Sequence, residues 1–190
     1  MILVKPASQY LSSYVAALER GWSPDNIRDE AGTEELAAIR ESPEAFLGSL
    51  DDPEARGGPI RLLDGSFAQR LPGFRRWMWD GEFCGSIGFR WAPGTAALPA
   101  TCPGHIGYGV VPWKRGRGYA TEALAQMLPL ACERGLPYVD ITTEVDNVAS
   151  QRVAIANGGV VVERFRQLPV HGSADVFRFR IDLGVDADRG

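Results

Sequence analysis

Apolar and polar positions follow a period that changes along the chain, and each change predicts an element. "MILVKPA" opens with an apolar run that predicts a short strand. In "SQYLSSYVAALERGW", Leu11, Tyr14, Val15 and Leu18 recur at three- and four-residue spacing, which predicts one helix face, with Ser8 as its N-cap. "TEELAAIRESPEAFLGSLDD" has the helical period again, with Thr33 as cap and Pro43 interrupting or restarting it. Residues 53–73 are rich in Gly, Pro and Asp and read as loop. "FRRWMWDGEFCGSIGFRW" predicts a hairpin, because two aromatic-rich runs flank Asp80-Gly81, the dipeptide of a two-residue I′ turn. "APGTAALPATCPG" reads as a second loop, followed by a strand at "HIGYGVV". "GYATEALAQMLPLACERG" predicts a helix, with Pro129 marking a kink or an early end. "LPYVDITTEV" predicts a strand. "NVASQRVAIANGG" predicts a helix with Asn147 near its N-cap and Gly158-Gly159 at its end. Two strands, "VVVERFRQLP" and "DVFRFRIDLG", close the pattern, and residues 185–190 read as a frayed tail. The order β-α-α-β-β-β-α-β-α-β-β predicts an α/β (α+β) layer around one sheet.

Composition narrows the class. A chain of 190 residues predicts a single domain with a real core. Hydrophobic residues make up 45% and charged residues 23%, as in ordinary globular proteins. The net charge of −4 gives no basic field for nucleic acid, so no nucleic-acid partner is expected. No apolar run approaches the ~20 residues that cross a bilayer, and the first residues lack a signal-peptide core, so no membrane partner is expected. Cys84, Cys102 and Cys132 are odd in number and lack CxxC spacing, which fits a reducing cytoplasm rather than disulfides or zinc. With two histidines only, His105 and His171, no metal is expected.

A local basic cluster in an acidic chain then needs a local reason. In "VVPWKRGRGYATEAL", residues 110–124, Lys114, Arg115 and Arg117 stand among Gly116 and Gly118 where a strand gives way to a helix. A helix N-terminus offers unpaired N–H groups and about half a positive charge. Phosphates bind there when the backbone can come close, and glycines permit that approach. The plainer reading is a solvated basic turn. Two familiar phosphate motifs are absent: there is no GxxxxGK[ST], and GxGxxG fails because its third glycine would fall at Thr121.

"Arg115-Gly116-Arg117-Gly118-Tyr119-Ala120" fits the [Q/R]-x-x-G-x-[G/A] signature of the GNAT N-acetyltransferase superfamily, and "DNVASQRVAIANGG" resembles its second signature, an N-x-x-S helix after the fifth strand. The whole order of elements is similar, most of all to a bacterial branch of predicted acetyltransferases. The resemblance implies one N-acetyltransferase domain over 1–190: acceptor-side helices in 1–60 and an acetyl-CoA-binding core in 104–167. It implies a central mixed, mostly antiparallel sheet of about seven strands flanked by helices, with strands four and five splayed. Acetyl-CoA would be the co-substrate. Its pyrophosphate would rest on the N–H groups of Arg115, Gly116, Arg117, Gly118, Tyr119 and Ala120. Its pantetheine arm would pair with the backbone at Val110 and Val111, with Asn147 and Ser150 on the far side. The N–H of Val111 or a neighbour would stabilise the oxyanion. The implied function is acetyl transfer to a primary amine, on a small molecule or a peptide, by direct attack in a ternary complex. The alternative is a CoA- or acyl-CoA-binding sensor without catalysis. Symmetry favours a homodimer if the chain assembles.

The reaction needs a base for the amine and an acid for the thiolate. The tyrosine that serves many members as acid would fall at Ala154 here. Ser150, or a water on it, is the substitute, unless the thiolate leaves unprotonated. His105, at the start of the fourth strand, is the first candidate base; it also reads as a structural histidine. Asp140, Thr142 and Glu144 share one strand face by the two-residue period, which makes Glu144 the second. Tyr108 and Tyr119 are each candidate site tyrosines, with core or packing the plainer reading of both. Trp22 with the hairpin offers an aromatic acceptor pocket, or a core.

Overall fold

The computed structural model describes residues 1–184; the frayed tail expected at 185–190 lies outside the described residues. In chain order the elements are β1 (Ile2–Val4), α1 (Ser8–Glu19), α2 (Ala31–Glu41), α3 (Pro43–Ser49), β2 (Asp51–Asp52), β3 (Ile60–Arg61), β4 (Phe67–Ala68), β5 (Gly73–Trp79), β6 (Phe83–Arg90), β7 (Ile106–Val110), α4 (Tyr119–Cys132), β8 (Tyr138–Glu144), α5 (Val148–Ala156), β9 (Val160–Arg166) and β10 (Asp175–Asp182). No helix among the described residues is long and apolar enough to cross a membrane.

The strands form two main sheets, not one. β1, β5, β6 and β7 pair antiparallel in that order, with β2 also on β5. β8, β10 and β9 form a second antiparallel sheet, and β3 with β4 a small ribbon. The break falls between β7 and β8, the fourth and fifth strands of the sequence pattern. They meet at one end only. The His105 N–H donates to the Asp140 carbonyl at 2.7 Å, and the Asp140 N–H donates to Nδ1 of His105 at 3.0 Å. Beyond that seam no ladder joins them.

Alternation along the strands divides the core in two. Met78, Ile87, Phe89, Ile106, Val139 and Ile141 pack with Leu124, Met127 and Ala131 of α4 on one face. Trp77 and Phe83 pack with Tyr14, Leu18 and Trp22 of the α1 side on the other. Leu124 and Met127 are completely buried; truncating either to Ala removes roughly 2–5 kcal/mol.

Local signals account for most element ends. Ser42 accepts the Ala45 N–H at 3.2 Å and Pro43 occupies the first turn, so the proline restarts a helix as α3. Asn147 accepts the Ser150 N–H and caps α5. Gly158, at φ +84°, closes α5: its N–H goes to Ile155 and that of Gly159 to Ala154, a Schellman closure. Several expectations need correction. Ser8 is the first helical residue of α1, not its cap. α2 begins at Ala31, two residues before Thr33. Asp51 and Asp52 pair with β5 instead of extending a helix. The hairpin turn holds three residues, because Trp79 pairs with Phe83, and a bulge follows Met78. α4 continues past Pro129 to Cys132, where burial of its apolar face outweighs one missing N–H donor.

Candidate active site

The basic turn hangs between β7 and α4. Gly116 and Gly118 have φ of +75° and +79°, left-handed values that disfavour other residues. A Cβ on either would meet nothing within 4 Å. The Arg115 N–H donates to the Pro112 carbonyl at 3.3 Å, so that amide is engaged within the turn. The N–H groups of Gly116, Arg117, Gly118, Tyr119, Ala120 and Thr121 meet no carbonyl or side-chain acceptor among the described residues. They open the N-terminus of a fourteen-residue helix. The free amides therefore begin one residue later than expected.

The three cations divide their roles. Lys114 is buried and turns back to the hairpin turn, 3.0 Å from Asp80 and 2.6 Å from Glu82. Tyr119 joins them, donating to Asp80 at 2.5 Å. Burial alone would push the Asp80 carboxyl up, but the hydrogen bonds from Tyr119 and Lys114 outweigh it and hold that carboxyl well below the usual carboxylate range. Lys114 thus anchors the turn and is not free for a ligand. Arg115 and Arg117 are exposed.

From the turn a cleft of about 1160 Å³ runs into the gap between β7 and β8. The Val111 N–H donates to the Cys84 carbonyl at 2.9 Å and the Arg90 N–H to His105 at 2.9 Å. With the register of β6 on β7, these bonds turn the N–H and C=O of Tyr108 and Val110 towards the gap. Val111 is therefore not the free donor, and Val110 and Tyr108 are. Both carbonyls are already taken: Nδ2 of Asn26 donates to Tyr108 at 3.2 Å, and Nε of Arg115 to Val110 at 3.1 Å. Asn147, Ser150 and Glu144 line the same cleft from the side of β8 and α5. Glu144 is exposed and has no ion-pair partner among the described residues.

His105 stands apart from these. It has no exposed surface and does not line the cleft. Burial lowers its pKa. Ala154 is likewise fully buried and off the cleft. Trp22 is 6% exposed and stacks edge-on with Tyr14 and Phe83, so it is core rather than an acceptor pocket. Cys102 is buried.

Sequence reasoning ranked one cleft residue too low and passed over two. Tyr108, read as packing, reaches α5 with its hydroxyl. Its alternation with Gly107 and Gly109 was the available signal, since it assigns Tyr108 to the side-chain-bearing face of β7. Thr143 and Asn26 carried no signal at all. Among the described residues no group of three or more His, Cys, Asp or Glu could hold a metal ion.

A profile for the acetyltransferase (GNAT) domain matches residues 27–160, well over half of the chain. The chain belongs to the GNAT acetyltransferases. Among solved structures, the fold is similar to microcin C7 self-immunity acetyltransferase MccE in complex with acetyl-CoA and AMP. The TM-score is 0.61 at 12% identity, covering 95% of this chain and 91% of that one. It is also similar to RimL, a ribosomal L7/L12 alpha-N-protein acetyltransferase in complex with CoA. There the TM-score is 0.59 at 15% identity, covering 97% and 94%. At such identities the likeness is one of fold. No curated protein matches the sequence significantly. As a GNAT fold, the molecule is a mixed α/β domain whose antiparallel sheets are flanked by helices.

Proposed function

We propose that this chain is an acetyl-CoA-dependent N-acetyltransferase that moves an acetyl group to a primary amine by direct attack in a ternary complex. One observation carries the reading: six successive N–H groups that meet no acceptor among the described residues open α4, beside a gap where two strands part. The N–H groups from Gly116 to Ala120 hold the pyrophosphate. The open space above Gly116 and Gly118 suits its approach. Val110 and Tyr108 offer N–H donors to the arm and the thioester carbonyl, and their carbonyls accept from the arm where Asn26 and Arg115 give way. Asn147 and Ser150 flank the opposite side. Bound acetyl-CoA supplies the activated acetyl group.

Glu144, exposed at the mouth, takes the amine proton directly or through water. His105 we assign to holding the seam, because its Nδ1 already accepts the Asp140 N–H. The whole chain acts as one domain, with 1–60 shaping the acceptor side and 104–167 the acetyl-CoA side. The three free cysteines accord with a reducing cytoplasm. Ala154, buried where a catalytic tyrosine would stand, favours a second reading, a CoA- or acyl-CoA-binding sensor.

Calorimetry with acetyl-CoA and thiol release with spermidine, an aminoglycoside, free amino acids and a tripeptide test both readings. Saturable binding and amine-dependent thiol release are expected. Binding without release by any amine leaves the sensor; no saturable binding removes both.

A further inference from the structure

The helix-side face of the gap carries two hydroxyls that the roles above leave unused. Alternation places Ile106, Tyr108 and Val110 of β7 on this face. It places Val139, Ile141 and Thr143 of β8 there too, since Ile106, Val139 and Ile141 pack with Leu124 and Met127 of α4. The ring of Tyr108 packs at the edge of that core, and its hydroxyl donates to the Ser150 carbonyl of α5 at 3.2 Å. A side chain rooted in β7 thus reaches across to the helix that follows β8. Thr143 stands on the other strand, 5% exposed, and lines the same cleft. Its Oγ1 is buried and meets no partner among the described residues. Buried hydroxyls in native proteins are nearly always partnered, so this one points to a ligand atom that completes it.

We propose that Tyr108 is the proton donor to the leaving sulfur, with Thr143 presenting a second hydroxyl from the facing strand. This rests on the acetyl-transfer reading above. The amine nitrogen bonds to the acetyl carbon, and the carbon–sulfur bond breaks with its electron pair passing to sulfur. The phenolic proton of Tyr108 moves to that sulfur and gives the free thiol. The proton shed by the amine leaves to Glu144 or its water, and the Tyr108 phenolate regains a proton from water once the product departs. Protons balance over the cycle.

Two other positions are less apt. Tyr119 is committed to Asp80, and α5 carries alanine at 154, turned into the core. Burial pushes the Tyr108 phenol up to about 12, although its bond to Ser150 opposes this, so it keeps its proton at neutral pH and is a donor rather than a base.

The test compares the native protein with Tyr108→Phe and Thr143→Val. The amine is whichever of the panel above gives fastest thiol release. Tyr108→Phe should bind acetyl-CoA within about threefold of native, because a phenyl ring keeps the packing, while turnover falls about a hundredfold or more. With S-acetyl-4-nitrothiophenol, whose thiolate leaves without a proton, the loss should shrink to about threefold or less. A structural role would depress both substrates alike. A readout independent of turnover is the thiol of bound CoA, followed by ultraviolet thiolate absorbance. It should ionise at lower pH on the native protein than on Tyr108→Phe, since a hydroxyl donor favours the thiolate. Thr143→Val should leave folding intact and weaken acetyl-CoA binding. Native turnover retained by Tyr108→Phe to more than half overturns this inference alone, as does an equal loss with both thioesters. Should Tyr108→Phe not fold, a bound thiol that titrates on the native protein as it does in free CoA overturns it. A native protein that releases no thiol overturns the transfer reading and this inference together.

Discussion

Gly118 concentrates the site's requirements in one position. Its φ of +79° would strain a β-branched residue by roughly 1–2 kcal/mol. A Cβ there meets no protein atom within 4 Å, so Gly118→Val should fold, with unchanged far-ultraviolet circular dichroism. The added side chain stands in the space that a phosphate needs. Losing two charge-assisted hydrogen bonds of about 1.5–3 kcal/mol each weakens acetyl-CoA binding about a hundredfold or more. Calorimetry checks this, and an unchanged affinity would remove the phosphate-cradle role. Gly116 and Gly118 were legible in the sequence, because glycines among cations at a strand-to-helix junction let a phosphate reach the backbone. Lys114 was not. Its carboxylate partners lie in the β5–β6 hairpin turn, with Asp80 34 positions upstream, and no local pattern brings them together. Glu144 was placed at its strand end by period alone, whereas the choice between a basic and a structural His105 needed the ring's own contacts.

At the scale of elements, the seam between β7 and β8 depends on a neutral imidazole. Nδ1 of His105 accepts the Asp140 N–H, and a protonated ring would have no lone pair to offer. Burial holds the folded pKa below its unfolded value of about 6.5. The unfolded chain therefore binds more protons, and this contribution to stability falls as pH drops below about 6.5. Denaturant unfolding between pH 7 and 5 should show the native protein losing stability more steeply than His105→Asn. His171, whose pKa burial also lowers, supplies a residual slope in both. Equal slopes would mean that the seam does not depend on the ring's protonation. Periodicity read the helices and long strands well, since their apolar faces pack on the two core clusters. It read ends poorly: Ala7 precedes α1 without a side-chain cap, and a bulge lengthens the hairpin turn. The pairs Asp51–Asp52, Ile60–Arg61 and Phe67–Ala68 were invisible, because two residues carry no period.

For the whole molecule, the order of elements along the chain foretold the layers but not the division of the sheet. Splitting is a property of pairing, and pairing is decided by residues far apart in sequence. The resemblance supplied that expectation, and the geometry bears it out. A ligand entering the division touches both sheets and so should stabilise them together. Acetyl-CoA at a hundredfold its dissociation constant should add about 2.7 kcal/mol to the free energy of unfolding. That corresponds to a rise in melting temperature of roughly 5–10 °C in a domain of this size. A melting temperature unaffected by acetyl-CoA would exclude a folded-state site. The division also leaves the inner edge of β7 bare in the middle of the molecule, the kind of template on which foreign strands can grow. Asn26 and Arg115 sit on its Tyr108 and Val110 carbonyls. With these acceptors covered by the chain's own side chains, the edge offers a foreign strand fewer places to pair.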